Sequence, residues 1–222
     1  MTSQIALPAL CLVTDRLRSL GRPIEDVVAA AVEGGVNMVQ LREKDLPSRK
    51  LYDLAVRLRQ LTQGRALLMV NDRLDVALAA GADGVQLGEE GLPVQAARAI
   101  AGRLLIGKSV HSLRSAQTAQ SEGADFLVAG TIFESGTHPD GPTQGLGLLA
   151  QLRAGVATSF LAIGGITAQN VADVIAAGAS GAAVITAITQ SPSPKDSARE
   201  IAYRIQAAYL ASTRGHVRGQ KP

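Results

Sequence analysis

The sequence is poor in the residues that build disulfides, zinc sites and nucleic-acid stacking platforms. Its 222 residues include one cysteine, Cys11, three histidines and no tryptophan, and aromatic residues make up 3% of the chain. A lone cysteine forms no internal disulfide. The cysteine and the three scattered histidines also lack the spacing of a structural zinc site. The scarcity of aromatic side chains, without a basic helix, argues against a nucleic-acid partner.

Long apolar runs are also absent. No stretch reaches the roughly eighteen uninterrupted apolar residues of a spanning helix, and no basic segment precedes an apolar run at the N-terminus. Neither a membrane partner nor a secretory signal is therefore expected, and we predict a cytoplasmic protein. With 46% apolar and 18% charged residues, the composition is typical of a globular chain that buries a sizeable core.

The excess of positive charge is small and uneven. The chain has 22 basic and 19 acidic residues, but residues 213–222 hold three basic residues and no acid, which leaves 19 of each sign in residues 1–212. We predict a single domain over 1–212 and a basic, disordered tail over 213–222. The arrangement argues against a polyanionic partner. Four cations that follow predicted strands are expected to share one face and attract small phosphorylated anions: Arg42, Lys44, Arg73 and Lys108.

Short β-branched runs alternate with alanine- and leucine-rich amphipathic segments along the whole chain, a pattern typical of parallel βα units. The strands are expected at about 10–14, 38–42, 66–70, 84–87, 104–109, 126–130, 160–164 and 182–186. Eight such units in this length predict an α/β protein with a single (β/α)8 TIM barrel, ahead of a doubly wound open sheet. A homodimer is the default assembly, because closed twofold assemblies are the commonest.

In a barrel of this kind the chemistry lies at the carboxyl ends of the strands. Gly164 and Gly165 follow strand seven, and Thr186 follows strand eight, where loops of this fold commonly bind phosphate. The glycine pair also fits a plain tight turn. Asp72 fits a magnesium ligand or a helix cap, and His111 fits a proton shuttle or a hydrogen-bonded turn residue. His138, in a long loop rich in glycine and proline, fits a binding residue or an inert one.

Five segments together resemble the thiamine phosphate synthase and thiazole tautomerase family, over about residues 9 to 205. They are CLVTD at 11–15, VQLREK at 39–44, VNDR at 70–73, GKSVHS at 107–112 and IGGIT at 163–167. The resemblance implies a (β/α)8 barrel. It also implies one of two activities. Synthases join hydroxymethylpyrimidine pyrophosphate to a thiazole phosphate with magnesium and release pyrophosphate. Tautomerases move a proton on a carboxythiazole phosphate and need no metal cofactor.

The resemblance assigns roles to several positions. The pyrimidine pyrophosphate positions are Gln40, Arg42, Lys44, Asn71 and Ser109. The thiazole phosphate positions are Gly165, Ile185 and Thr186, and Ser135 and Thr137 match the loop that contacts the thiazole. Asp72 matches one of two magnesium aspartates, but Gly91 stands where a synthase has the second. His138 replaces a lysine that meets the pyrophosphate, which puts a weaker and pH-dependent cation there.

Both departures remove groups that neutralise a departing pyrophosphate. We therefore predict a thiazole tautomerase with His111 as the proton-transfer residue, and with no cofactor. The alternative is a thiamine phosphate synthase that uses Mg²⁺ held by Asp72, with Glu89 or Glu90 in place of the missing carboxylate. A further alternative is a non-catalytic protein that binds thiazole or thiamine phosphate. All three take a small phosphorylated thiazole compound, and the synthase adds a pyrimidine pyrophosphate.

Overall fold

The computed structural model describes residues 4–136 and 142–218, with side chains through residue 213. Eight parallel strands pair in sequence order and close into a barrel, β8 pairing with β1. They are β1 Ala9–Val13, β2 Met38–Leu41, β3 Leu67–Asn71, β4 Gly84–Leu87, β5 Leu105–Val110, β6 Phe126–Ala129, β7 Phe160–Ile163 and β8 Gly181–Val184. The predicted single-domain TIM barrel is confirmed, and each strand begins and ends within two residues of its expected bounds.

A helix follows every strand and packs around the barrel. The helices are α1 Ile24–Glu33, α2 Ser48–Thr62, α3 Leu74–Ala79, α4 Val94–Ala101, α5 Leu113–Ser121, α6 Gly145–Gly155, α7 Val171–Ala176, α8 Thr186–Thr189 and α9 Pro194–Arg218. The short α8 was not expected. In addition, α9 continues through the predicted boundary at residue 212 to residue 218. The division into a domain over 1–212 and a disordered tail over 213–222 stays a prediction. No helix in the described ranges is long and apolar enough to cross a membrane.

Two apolar layers hold the barrel together. The larger one lies between the outer faces of the strands and the helices, where alternating strand residues such as Leu12, Val39 and Val85 are almost fully buried. The smaller one fills the inside of the barrel with residues from the opposite strand faces, including Cys11, Met69 and Phe126. This alternation leaves the inward positions nearest the carboxyl ends free for polar side chains.

Side chains just before three of the strands close the amino-terminal end of the barrel. Asn37 Oδ1 accepts from the N–H of Leu10, Asp83 from that of Leu68, and Asp125 from that of Ile106, at 2.9, 2.8 and 2.7 Å. Each acceptor precedes one strand and binds the N–H of the second residue of the neighbouring strand. We call this set of contacts the lower ring. It satisfies backbone donors that the ladder leaves unpaired at the barrel end.

The single thiol gives a simple test of this packing. Cys11 is 2% exposed inside the barrel, and burial raises the pKa of its thiol to about 12. Because the thiolate is the reactive form, we expect no labelling of the native protein by a thiol reagent at pH 8 over hours, and full labelling in denaturant. Mass spectrometry of labelled protein measures both. Rapid native labelling would contradict the closed barrel interior.

Candidate active site

One cavity of about 730 Å³ opens at the carboxyl ends of the strands. That volume suits a ligand the size of a cofactor or of two small metabolites. The described predicted site residues all line it: Gln40, Arg42, Lys44, Asn71, Asp72, Ser109, His111, Ser135, Gly165, Ile185 and Thr186. Thr137 and His138 lie outside the described residues. The sequence therefore identified a set that the fold brings together, while the individual roles stay predictions.

Two cations after β2 line the cavity and have no ion-pair partner among the described residues. Arg42 follows β2, and its backbone N–H donates to the hydroxyl of Thr14 at 2.9 Å, which fixes where its side chain leaves the barrel. The next residue, Glu43, is buried and accepts from the N–H of Arg16 at 3.1 Å, and burial raises the pKa of its carboxyl. Within residues 4–136 and 142–213, the side chains of Arg42 and Lys44 make no ion pair. Unpaired cations in a cavity favour an anionic ligand.

Polar side chains at the ends of β2 and β3 form a directed chain. Gln40 Nε2 donates to Asn71 Oδ1 at 2.8 Å, and Asn71 Nδ2 donates to Asp72 Oδ2 at 2.7 Å. The other oxygen of Asp72 accepts from the N–H of Gly88 at 2.7 Å. Asp72 has φ +57, in the left-handed region that aspartate tolerates better than most residues. Its carboxylate binds none of the α3 N–H groups, so the helix-cap alternative is wrong.

The residues around Asp72 do not form a two-carboxylate magnesium site. In the described part of the chain no three His, Cys, Asp or Glu side chains converge as metal ligands. Gly91 packs so closely that a Cβ there would lie 2.6 Å from Asp72 Oδ1. Glu89 lines the cavity, but its carboxylate lies 3.2 Å from His111 Nε2. Glu90 is exposed and outside the lining. Among the side chains that line the cavity, the cations Arg42 and Lys44 are therefore the groups that can neutralise an anionic ligand.

His111 is held at both ring nitrogens. Its Nδ1 is hydrogen-bonded to the carbonyl of Gly130, and its Nε2 faces Glu89. Because a carbonyl oxygen only accepts, this contact requires the tautomer with the proton on Nδ1. The histidine therefore lines the cavity as a hydrogen-bonded turn residue.

At another part of the cavity rim, β7 and β8 end in turns with backbone donors that no described residue pairs. Gly164 and Gly165 have φ +106 and +62, and a Cβ on Gly165 would lie 2.3 Å from the carbonyl oxygen of Glu134. Asn170 braces the turn by donating to the carbonyl of Gly165 at 2.9 Å. Among the described residues no acceptor meets the N–H groups of Gly165 and Thr186. Such donors are suited to a phosphate.

Two of the four cations expected on this face do not serve the cavity. Arg73 pairs with Asp75 at 2.5 Å, and that contact raises the pKa of the guanidinium. Lys108 donates to the carbonyls of Gly88 and Glu89 at 2.7 and 3.2 Å and ties down their loop. Neither lines the cavity. Thr131 and Gln144 also line the cavity and were not predicted as site residues. Thr131 is the second residue after β6, and Gln144 directly precedes α6.

A closed βα barrel whose cavity is lined by cations after β2 and by backbone donors after β7 and β8 is typical of enzymes that bind phosphorylated small molecules. The model of one family, described as thiamine monophosphate synthase, matches residues 10–188. A thiamine-phosphate synthase of Methanoculleus marisnigri is 48% identical over 202 residues, which cover 90% of this chain and 96% of that protein. The chain belongs to the thiamine monophosphate synthase family.

Solved structures agree with this assignment. A thiamine phosphate pyrophosphorylase from Pyrococcus furiosus superposes with a TM-score of 0.84 at 39% identity, covering 90% of this chain and 96% of that one. A 3-hexulose-6-phosphate synthase reaches a TM-score of 0.68 at 19% identity, which shows a common fold only. The relatives do not support the tautomerase predicted from His111. They fit the synthase, which was the alternative.

Proposed function

We propose that this enzyme is a thiamine-phosphate synthase that joins hydroxymethylpyrimidine pyrophosphate to a thiazole phosphate and releases pyrophosphate. The observation that carries the proposal is the presence of two separate anion-binding features in one cavity. Arg42 and Lys44 follow the carboxyl end of β2. The unpaired N–H groups of Gly165 and Thr186 follow β7 and β8. A synthase must hold two phosphorylated substrates at once, one with a phosphate and one with a pyrophosphate, and each substrate would take one of these features.

The assigned reaction balances without a proton transfer. The thiazole nitrogen forms a bond to the methylene carbon of the pyrimidine, and the bond from that carbon to the pyrophosphate oxygen breaks. The oxygen leaves with the electron pair, so negative charge grows on the pyrophosphate as the thiazole becomes a cation. Fixed cations facing the leaving group stabilise this charge more in the transition state than in the ground state. That is the role we assign to Arg42 and Lys44.

The remaining side chains orient the two substrates. Gln40, Asn71 and Ser109 line the same cavity and would offer amide and hydroxyl groups to the pyrimidine. The turn at Gly165 and Thr186 holds the thiazole phosphate. Holding both reactants in one cavity makes the bond-forming step effectively unimolecular.

The homodimer and the cytoplasmic location stay predictions.

The proposal is tested by mixing the purified protein with both substrates across a magnesium series and measuring thiamine phosphate and pyrophosphate. We expect the two products in equal amounts and none when either substrate is omitted. A parallel reaction with carboxythiazole phosphate tests the tautomerase. Aromatisation there, without thiamine phosphate in the first assay, would overturn the proposal. Binding of both substrates without turnover would instead identify the non-catalytic protein.

A further inference from the structure

A buried glutamine below the cavity is unusual in its hydrogen bonding. Gln86 lies on β4, is 1% exposed and does not line the cavity. Its Nε2 donates to the hydroxyl oxygen of Ser109 at 3.2 Å, while its Oε1 has no partner among the described residues. An unpaired buried acceptor destabilises a fold. A native protein that keeps one calls for an explanation in its function.

The neighbouring strand is shaped to admit this side chain. Gly107 is opposite Gln86 in the register of β4 and β5, and a Cβ on Gly107 would lie 2.1 Å from Gln86 Oε1. Ser109 is two residues further along β5, on the same inward face. The missing side chain at Gly107 therefore lets the carboxamide lie along the barrel wall and reach Ser109 from below.

The contact fixes the direction of the Ser109 hydroxyl. A hydroxyl has one proton to donate, and here its oxygen already accepts from Gln86. No other hydrogen bond is made by Ser109 within the described residues. Because Ser109 lines the cavity, its proton is left to a ligand. The partner it would suit is a ring nitrogen with a free lone pair, as in an aminopyrimidine.

We propose that Gln86 is a positioning residue that keeps Ser109 as a hydrogen-bond donor to the pyrimidine ring. The proposal rests on the synthase function for the identity of the ligand. Gln86 would then contribute to specificity without contacting the substrate. A carboxylate at position 86 can only accept hydrogen bonds. The Ser109 hydroxyl would donate to it and would then face the pyrimidine with a lone pair instead of a proton.

The test measures equilibrium binding of hydroxymethylpyrimidine pyrophosphate by calorimetry, with no thiazole present, so that its result does not depend on turnover. We expect Gln86→Glu to weaken binding about tenfold at pH 8 and to leave thiazole phosphate binding within twofold of wild type. At low pH the protonated acid donates to Ser109 again, so binding recovers. The exposed Gln95→Glu in α4 adds the same charge and should show neither effect.

Two further variants distinguish positioning from a structural role. Ser109→Ala should weaken pyrimidine binding by as much as Gln86→Glu, and the double variant should be no weaker than either alone, because one hydrogen bond is lost in all three. Gln86→Met removes the unpaired oxygen and should raise the melting temperature while weakening pyrimidine binding. Three results would overturn the proposal. The losses of affinity could multiply in the double variant, the affinity of Gln86→Glu could fail to recover at low pH, or both ligands could lose affinity equally. Absence of wild-type turnover would count against the synthase function alone.

Discussion

Replacing Arg42 with alanine is expected to lower kcat/KM for the pyrimidine pyrophosphate by about a hundred- to a thousandfold, the typical loss when one charge-stabilising group is removed. The reason is that Arg42 has no ion-pair partner within the described residues and faces the cavity. Its charge is therefore available to the leaving group. Arg42→Lys keeps the charge but loses the two-pronged guanidinium geometry, so a loss of about tenfold is expected.

Arg73→Ala is the matched control for that experiment. Arg73 also follows a strand at the same end of the barrel, but it is paired with Asp75 and lies outside the cavity. Its loss should change kcat/KM by less than about twofold, since exposed ion pairs contribute little. Steady-state kinetics on the three variants, with melting curves to show that each is folded, give the comparison. Equal losses for Arg42→Ala and Arg73→Ala would remove Arg42 from the assigned role.

Gly165→Ala is expected to raise KM for thiazole phosphate at least about tenfold and to destabilise the protein. Gly165 has φ +62, where an alanine is strained by about 1–2 kcal/mol. Its Cβ would also lie 2.3 Å from the Glu134 carbonyl oxygen and 2.8 Å from Phe133 Cβ. The crowding displaces the loop after β6 and turns the free N–H away from the phosphate.

Gly81→Ala separates the backbone strain from the crowding. Gly81 has φ +63, almost the same as Gly165, but no atom lies within 4 Å of the added Cβ. It belongs to the turn before β4, at the barrel end remote from the cavity. The strain alone should lower the melting temperature by about 2–8 °C without changing KM. If both variants changed KM alike, or neither did, the turn at Gly165 would not be the phosphate site.

The barrel could be predicted because most strands are short apolar runs that end close to a glycine or a charged residue, and because eight of them recur at a steady spacing. The cavity residues followed from the rule that strand ends carry the chemistry. Side-chain direction was harder to predict. Arg42 and Arg73 both come within two residues of the end of a strand, yet only Arg73 has an aspartate two residues later that pairs with it.

Some of the missed features had a signal and others had none. Gly107 and Ser109 face inward, so the alternation of a strand already places Lys108 on the outside. By contrast, the left-handed backbone of Asp72 and its contact with Gly88 depend on how two loops meet. The preference for a tautomerase came from the absence of Asp at position 91 and Lys at 138. It gave too little weight to Arg42 and Lys44, whose partners a sequence alone does not reveal.

The lower ring of Asn37, Asp83 and Asp125 has a consequence for how this enzyme tolerates change. These side chains secure the strands at one end, whereas the cavity is built at the other. In a library of random variants, inactive proteins should therefore fall into two groups. Variants at the lower ring should lose the folded protein, and variants at the cavity should stay folded but lose turnover. Because the two requirements use different residues, the upper loops can be rebuilt for another phosphorylated substrate while the lower end keeps the barrel intact.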